Sequence, residues 1–378
     1  MPSFKMPSFS LPSFSSALIG VDIGTSSVKL VQLAPQGKDH WVLQAYAVQD
    51  LSDEAVEEID ADLRPAVVGL ALKKAFKSSK ARGRKVVTAV SGEAVIVRYV
   101  KLPFMTAAEL KNVISYEAEQ HIPLPIDQVI LDHHILGVLE EENQKKLEVL
   151  LVAAKTEMVD ERLNLLKASR LKPTVIDVDS FAMENAYLAN YGIEKGQTVA
   201  LVNIGAKTTT INVIEDGISH LTRDFAVAGN QFTKQMQTEM ILGFPQAEEL
   251  KRQQGQVAVE SDEMLLTSMP DKDDRSMAIS EAVTPVLNKM LSEFRRSFDF
   301  YENSIKKRPI SKVILSGGGA RLKNIEKFFA DKLGVPTEIV DPFKRIDIAK
   351  GLDAETIRAL APTLMVGIGL ALRRSSAL

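Results

Sequence analysis

The sequence predicts an α/β protein built from two similar halves, with a smaller unit inserted into the first half. Residues 18–33 (LIGVDIGTSSVKLVQL) and 199–214 (VALVNIGAKTTTINVI) each contain an apolar run, a turn rich in glycine and hydroxyls, and a second apolar run. This pattern predicts a β-hairpin whose turn can bind an anion. A third glycine turn, at residues 317–319, follows an apolar run near the end of the chain. The first hypothesis is therefore a nucleotide bound between two similar halves.

Composition sets the broad class of the protein. The 378 residues are 45% hydrophobic, which is ample for two domains, and the formal net charge of −3 gives no basic footprint for DNA or RNA. The chain has no cysteine, which excludes disulfides, thiolate nucleophiles and cysteine-bound metals. We find no apolar run of the ~18 residues that span a bilayer. We expect a cytoplasmic protein that associates with the inner membrane only through its partners.

The N-terminal residues contain a repeat. Pro-Ser-Phe occurs at residues 2–4, 7–9 and 12–14, and proline at this spacing prevents a regular helix. We interpret residues 1–16 as a flexible tail rather than a cleaved signal. The alternative is that the phenylalanines dock on a partner or a membrane surface. Partner binding and membrane recruitment that survive truncation of residues 1–16 would contradict that alternative.

A unit of a different kind follows the first hairpin and its neighbouring strands. Thr106 begins a predicted helix in which Glu109 completes a capping box, and the prolines at 123 and 125 end it. Two strands around a polar turn and a helix at residues 156–171 follow. Helix, two strands and helix form a small α+β subdomain inserted into the first half. The apolar face of its first helix is predicted to comprise Leu110, Val113, Ile114 and Ala118.

Three glycine motifs in this order carry a resemblance to a known family. DIGTSSVK, NIGAKTTT and LSGGGARL, with AGNQFTKQM and AEELKRQQG between the last two, resemble the phosphate and adenosine loops of the actin-like ATPase superfamily. One such loop alone is equally typical of a structural turn. EAEQHIPLPIDQVILD, IDVDSFAMENAY and the terminal APTLMVGIGLALR narrow the resemblance to the PilM family of type IV pilus assembly proteins, within an FtsA-like subfamily. The resemblance implies an actin-like fold of duplicated ribonuclease-H-like domains with an inserted α+β subdomain.

The resemblance also implies a division into domains. We expect a C-terminal helix (362–378) to pack on domain 1A, and a long helix of domain 2B to carry a buried stripe. The expected domains are the tail (1–16), domain 1A (17–99 and 175–196), the inserted subdomain (100–174), domain 2A (197–230 and 311–361) and domain 2B (231–310). The stripe comprises Leu287, Met290, Leu291, Phe294, Phe298 and Tyr301.

ATP and Mg²⁺ are the ligands that the resemblance implies. Asp22 is placed to hold a magnesium-bound water. Glu248 and Lys251 match a pair that faces adenine and ribose, and a solvated helical salt bridge is the alternative for them. The residues implied to bind the nucleotide are Gly24, Thr25, Ser26, Ser27, Lys29, Gly205, Ala206, Lys207, Thr208, Gly229, Glu248, Lys251, Gly317, Gly318, Gly319 and Arg321.

One position departs from the family pattern. The second phosphate loop has Asn203 where the family usually carries an aspartate that organises the metal and the attacking water. Asparagine adds no negative charge, so magnesium binding and water activation are both expected to weaken. No glutamine near residues 173–187 can be assigned as the water-positioning residue, and Glu184 is only a loose substitute. ATP binding is therefore expected to persist better than ATP hydrolysis.

The PilM resemblance implies a protein partner, the N-terminal cytoplasmic peptide of the membrane protein PilN. The peptide would lie in a groove between the first domain and the inserted subdomain. Because a helix ended by two prolines leaves apolar residues near a surface, residues 116–132 are expected to form the groove; ordinary core is the alternative. The implied groove residues are Tyr116, Gln120, Ile122, Leu124, Ile126 and Val129. Other platform proteins, the assembly ATPases and further copies of the chain are additional expected contacts.

Two functional classes stay open. In the first, ATP is a structural or regulatory ligand that holds the two halves closed and fixes the partner groove. In the second, ATP turnover changes domain closure and drives the pilus machinery. Asn203 favours the first class. An FtsA-like division protein is disfavoured because such chains end in an amphipathic membrane helix, and a small-molecule kinase is disfavoured because no sugar site or base aspartate is recognisable.

Overall fold

The structure is a computed structural model that describes residues 18–37, 40–51, 64–141, 143–258, 274–304 and 308–373. The predicted tail with its Pro-Ser-Phe repeats and the last five residues lie outside the described ranges. In these ranges the strands form three sheets, with six, five and three strands.

The first sheet has the order β14-β3-β2-β1-β4-β8. β2 is antiparallel to both of its neighbours, β1 and β3, and β4, β8 and β14 add parallel pairs. Helices cover both faces, which explains why the strands are near-continuous apolar runs. Its strands are β1 (Ile19–Ile23), β2 (Ser27–Pro35), β3 (Trp41–Asp50), β4 (Lys85–Val90), β8 (Lys172–Val178) and β14 (Ile346–Ile348). The covering helices are α1 (Arg64–Ser79), α3 (Thr156–Ala168), α4 (Asp179–Tyr191) and α10 (Met365–Leu372).

The second sheet repeats this topology in the order β11-β10-β9-β12-β13. One face packs on a helical cluster in which all six residues of the predicted stripe are buried, so that prediction is confirmed. The strands are β9 (Thr198–Ile204), β10 (Thr209–Glu215), β11 (Ile218–Phe225), β12 (Lys312–Ser316) and β13 (Thr337–Ile339). The helices of this half are α5 (Gly229–Met240), α6 (Phe244–Gln254), α7 (Asp274–Ser304) and α8 (Ile325–Leu333).

The inserted unit is built on the third sheet, in the order β5-β7-β6. The predicted capping box is present, because the Glu109 amide donates to Thr106 Oγ1 over 3.3 Å and the Thr106 amide donates to Glu109 Oε2 over 2.7 Å. Leu110, Ile114 and Ala118 are buried, but Val113 is 36% exposed, so its place on the apolar face was predicted wrongly. The elements are β5 (Val95–Pro103), α2 (Ala107–Glu119), β6 (Val129–Glu141) and β7 (Gln144–Lys155).

Two strands cross the predicted boundaries. β5 begins at Val95, before the predicted start of the inserted subdomain at residue 100, since it pairs with β7 from Val95 onward. β14 lies within the segment predicted for domain 2A, yet Ile346 pairs with Trp41 of the first sheet. Both differences arise from long-range strand pairing, which local sequence does not encode.

The end of the described chain packs tightly on the first sheet. A side chain at Gly20 of β1 would overlap the Gly367 carbonyl, and one at Gly369 would overlap the Ala182 carbonyl of α4. The stretch Ala354–Leu372, which includes α9 (Ala354–Leu360) and α10, has the length and mean hydropathy (1.3) of a membrane span, and 56% of it is buried in the structure. One such stretch is weak evidence for a span, because buried core helices meet the same criteria.

Candidate functional site

The glycine turns of the two halves meet at one cavity of about 260 Å³ between the first and second sheets. All but one of the residues predicted to bind nucleotide line it, together with Asp22 and Asn203. The lining members of the predicted set are Gly24, Thr25, Ser26, Ser27, Lys29, Gly205, Ala206, Thr208, Gly229, Glu248, Lys251, Gly317, Gly318, Gly319 and Arg321. Lys207 is exposed and does not line the cavity, so the structure does not bring it together with the others. The role of the set in binding stays a prediction.

The two hairpin turns have the same backbone closure. The Gly24 amide donates to the Ser27 carbonyl, and the Gly205 amide donates to the Thr208 carbonyl, each over 3.0 Å. At the second turn the Gly229 amide donates to the Gly205 carbonyl over 2.9 Å, which places the start of α5 against the turn. The two similar turns line the same cavity and bring backbone amides to it, as an anion site requires.

A cross-strand ion pair lies beside the first turn. Lys29 Nζ is 3.0 Å from Asp22 Oδ2, and both side chains are largely buried. The register pairs Asp22 with Lys29 in the first hairpin and Asn203 with Thr210 in the second. The first turn is therefore flanked by a charged pair and the second by a neutral pair.

The third turn approaches the second hairpin through backbone alone. Gly317 has a positive φ of 88°, which L side chains rarely adopt. A Cβ there would overlap Asn203 Oδ1 and the Ile204 carbonyl, and a Cβ at Gly319 would overlap the Ile204 side chain. The Gly317 amide donates to the Pro362 carbonyl over 2.8 Å. Glycine is needed here because the turn packs directly on β9.

Glu248 and Lys251 on α6 form an enclosed network, not a solvated pair. Lys251 Nζ lies 2.6 Å from Glu248 Oε2, 2.7 Å from Thr233 Oγ1 and 3.1 Å from the Gly229 carbonyl. Their side chains are only 17% and 12% exposed. Burial raises the pKa of the Glu248 carboxyl, but the ammonium of Lys251 outweighs burial and holds that pKa below its usual value. The network ties α6 to the start of α5, where the second turn is held.

An ion pair that the sequence did not predict crosses the cavity mouth. Arg252 Nη1 of α6 lies 2.7 Å from Asp50 Oδ2, at the end of β3, while Arg252 Nε lies 2.9 Å from Glu248 Oε1. Both residues line the cavity. Since Asp50 belongs to the first sheet and Arg252 to the second half, this pair joins the two walls.

Asp179 is a further residue that the sequence analysis did not predict. It lies at the start of α4, directly after β8, and lines the cavity with Ser91. Burial, followed by the neighbouring Asp22 carboxylate, raises the pKa of Asp179 to about 7. Glu184, the loose candidate from the sequence, does not line the cavity. The available signal was an acidic residue that immediately follows an apolar strand, which is also common at helix starts.

The cavity offers a metal ion one pair of carboxylates. Among the described residues no group of three His, Asp or Glu side chains converges on one point. Asp22 and Asp179 both line the cavity, and Mg²⁺ in nucleotide sites commonly keeps waters and takes one or two carboxylates plus phosphate oxygens. The residues present therefore fit a magnesium ion that arrives with a nucleotide.

The residues predicted for the partner groove divide by burial. Ile122 is 4% exposed and Val129 is 9% exposed, and both belong to the core of the inserted unit, so the prediction that Ile122 is available at a surface was wrong. The reason is that the chain turns back after α2 and packs Ile122 beneath it. Leu124 and Ile126 are partly buried against this core. Tyr116 is 68% exposed, and Gln120 is also exposed.

Comparison with known proteins gives one decisive match. The profile of the family described as "Type IV pilus assembly protein PilM" matches residues 20–375. The chain belongs to the PilM family.

Similar solved structures agree with this membership. The chain superposes on a structure described as the PilM-PilN type IV pilus biogenesis complex with a TM-score of 0.80 and 29% identity, covering 95% of this chain and 98% of that one. It shares its fold with the ethanolamine utilization protein EutJ from Carboxydothermus hydrogenoformans, with a TM-score of 0.53, 17% identity and coverage of 94% and 89%. The predicted actin-like α/β fold is confirmed.

The PilM family is also related to a division protein. The chain is 21% identical to the cell division protein FtsA of Bacillus subtilis (strain 168), over 93% of this chain and 82% of that protein. This agrees with the FtsA-like subfamily that the sequence predicted. As a member of the PilM family, the chain is a type IV pilus assembly protein.

Proposed function

We propose that this pilus assembly protein is an ATP-binding scaffold. The observation that carries the proposal is the convergence of three glycine turns, from both halves of the chain, on one cavity. The hairpin turns at Gly24 and Gly205 would bind the phosphates through backbone amides and hydroxyls. The adenosine would lie toward the enclosed network of α6 and the turn at Gly318. Asp22 would hold Mg²⁺ through water, and the ion would neutralise phosphate charge.

ATP is proposed to be a structural or regulatory ligand. A ligand that contacts both walls stabilises the closed arrangement by its binding free energy. Asn203 and Thr210 are neutral where the first hairpin has Asp22 and Lys29, so the second turn adds no charge that would organise an attacking water. We therefore expect the protein to bind ATP tightly and to release little phosphate.

The proposed partner is the N-terminal cytoplasmic peptide of a PilN protein, because the similar structure at 29% identity is of a PilM-PilN complex. We propose that the peptide contacts the accessible part of the predicted groove. This part comprises Tyr116, Gln120, Leu124 and Ile126. Through this peptide the protein would be held at the cytoplasmic face of the inner membrane.

Paired titrations test the proposal. The full chain is titrated with ATP, with and without Mg²⁺, and separately with the PilN peptide, while phosphate release is followed. Saturable ATP binding with negligible release is expected, and Tyr116→Glu should weaken the peptide at least about tenfold with ATP affinity unchanged. The exposed Val138→Glu on β6 is the matched control for added charge on the inserted unit. Absence of ATP binding would contradict the proposed ATP site. Equal peptide affinity in Tyr116→Glu and Val138→Glu would contradict the proposed peptide surface.

A turnover-coupled ATPase is the second candidate, and Asp179 favours it. A carboxyl group whose pKa is raised to about 7 at the phosphate end can accept a proton from a water. Phosphate release that rises on addition of the PilN peptide, and that Asp179→Asn abolishes, would support this candidate over the scaffold.

A further inference from the structure

Helix α3 joins the inserted unit to the first domain without a break. β7, the central strand of the inserted sheet, ends at Lys155, and α3 begins at Thr156. Leu165 and Leu166 of α3 belong to the core beneath the first sheet. At its other end, Val159 packs in a cluster with Ala154 of β7. A displacement of α3 is therefore a displacement of the base of the inserted sheet.

Arg162 extends from this helix to the first phosphate turn. Its Nη1 donates to the Ile23 carbonyl over 3.2 Å, and Ile23 directly precedes Gly24 of the turn. The guanidinium does not line the cavity, so it lies behind the turn. In the part of the chain that the structure describes, this contact is its one hydrogen bond and it makes no ion pair. Asp179 and Asp22 are the nearest opposite charges acting on it.

An enclosed cation with one neutral acceptor is incompletely compensated. Burial lowers the pKa of Arg162, and the more distant carboxylates of Asp179 and Asp22 offset this only in part. Phosphate groups entering the turn would add negative charge on the far side of the Ile23–Gly24 backbone. Their field would draw the guanidinium toward the turn and strengthen its hold on the carbonyl.

We propose that Arg162 is the positioning residue that couples phosphate binding at the first turn to the sheet of the inserted unit. Phosphate occupancy fixes Arg162, Arg162 fixes α3, and α3 fixes β7 together with its neighbours β5 and β6. Because α2 and the residues that follow it, which include the proposed peptide surface, pack on those strands, nucleotide and partner would bind with mutual reinforcement. The inference rests on the proposed ATP site and deepens it, since it states how the inserted unit senses the nucleotide.

Hydrogen exchange of the full chain with and without Mg·ATP tests the coupling. In the natural chain, ATP should slow exchange both at residues 24–27 and in β5 and β7, by at least about fivefold. Arg162→Met should keep the protection at the turn and lose that in the strands. Arg162→Lys, which keeps the charge but loses the fork of donors, should restore part of it. Lys167→Met, which removes an exposed cation from the same helix, should behave as the natural chain.

The outcomes separate the two proposals. Protection of the turn with equal strand protection in the natural chain and in Arg162→Met would contradict the coupling alone. No protection at the turn in the natural chain would contradict the ATP site and the coupling with it. If ligand-free Arg162→Met already exchanges faster throughout the first domain, Arg162→Lys decides. Strand protection by ATP that reaches part or all of the protection in Lys167→Met supports the coupling, and its absence with an intact turn overturns it.

Discussion

The two glycine hairpins have the same backbone and different chemistry. Both turns are closed by an amide-to-carbonyl bond of 3.0 Å, and their strands occupy matching places in their sheets. The first is flanked by the ion pair of Asp22 and Lys29, and the second by Asn203 and Thr210, whose Oγ1 donates to Asp224 Oδ1 over 2.5 Å. The two hairpins therefore share the turn geometry that we propose for phosphate binding, while the first has an ion pair across its two strands and the second a neutral pair.

The second turn is also the more tightly enclosed. A Cβ at Gly205 would lie 2.7 Å from the Thr208 carbonyl, whereas a Cβ at Gly24 would lie 3.1 Å from the Ser27 carbonyl and 3.2 Å from Lys29 Nζ. The second hairpin also contacts Gly229 and the third glycine turn. We therefore expect the second hairpin to tolerate an added side chain less well than the first.

Alanine at each first glycine should give the largest difference. Gly205→Ala is expected to lower the free energy of unfolding by about 2–3 kcal/mol, because the Cβ must displace a backbone carbonyl. Gly24→Ala should cost about 1 kcal/mol or less, since Lys29 can shift. Thermal and urea denaturation of both variants, with ATP titration, measures the difference. Equal destabilisation would show that the two turns are equally enclosed.

Exchanging the hairpin charges should have the next largest effect. Asp22→Asn makes the first hairpin resemble the second and should weaken Mg·ATP about 10- to 100-fold, with a smaller loss for ATP without metal. Asn203→Asp makes the second resemble the first and should raise phosphate release. Titrations with and without Mg²⁺ beside a release assay check both. A metal-independent loss in Asp22→Asn would argue against its role at the ion.

A largely buried acid, Glu184, lies behind the second hairpin and, like Asp179 beside the first, has a raised pKa. β10 carries buried Asn212 at the position that matches Val31 of β2, and Asn212 hydrogen-bonds Glu184. Burial raises the pKa of Glu184 from 4.5 to about 7. Between these values the folded protein keeps a proton that the unfolded chain has lost, so this group makes stability fall as pH rises.

Glu184→Gln should remove the contribution of Glu184 to this dependence. Relative to the natural chain, the free energy of unfolding of the variant should rise by about 3 kcal/mol between pH 4.5 and pH 8. Urea denaturation across that range measures it. A constant difference between the two chains at every pH would rule out Glu184 as the titrating group.

The bridge at the cavity mouth should give the smallest effect. Asp50 pairs with Ser27 beside the first turn and reaches the opposite wall through Arg252, whereas the uncharged Phe225 pairs with Thr209 beside the second turn. Asp50→Asn should weaken ATP about two- to fivefold, because the pair with Arg252 is half-exposed. Raising the salt concentration should erase the difference between variant and natural chain, and a difference that persists in high salt would mean another cause.

The sequence predicted the features that adjacent residues determine and missed those that depend on contacts between distant residues. The turns at Gly24, Gly205 and Gly317 were predictable because a turn is determined by adjacent residues. Asp179 and Arg162 were missed because distant elements bring them to the first turn.

Errors arose where the sequence misjudged the direction of a side chain. Lys207 points to solvent although it lies within a correctly predicted turn, and Val113 is exposed although it follows the helical spacing of Leu110 and Ile114. Ile122 was placed at a surface by the prolines around it, but the chain folds back over it. Topology also escaped prediction at β14, whose pairing with β3 depends on contacts about three hundred residues apart in the sequence.

The most direct measurement is the identity of the nucleotide that the natural chain holds after prolonged incubation with Mg·ATP. The protein is separated from free nucleotide, denatured, and its bound nucleotide is identified by chromatography beside the phosphate released. We predict about one ATP per chain, with release no faster than in a buffer control. Bound ADP with phosphate released over many turnovers would contradict the account of an asymmetric pair of hairpins that holds ATP without consuming it.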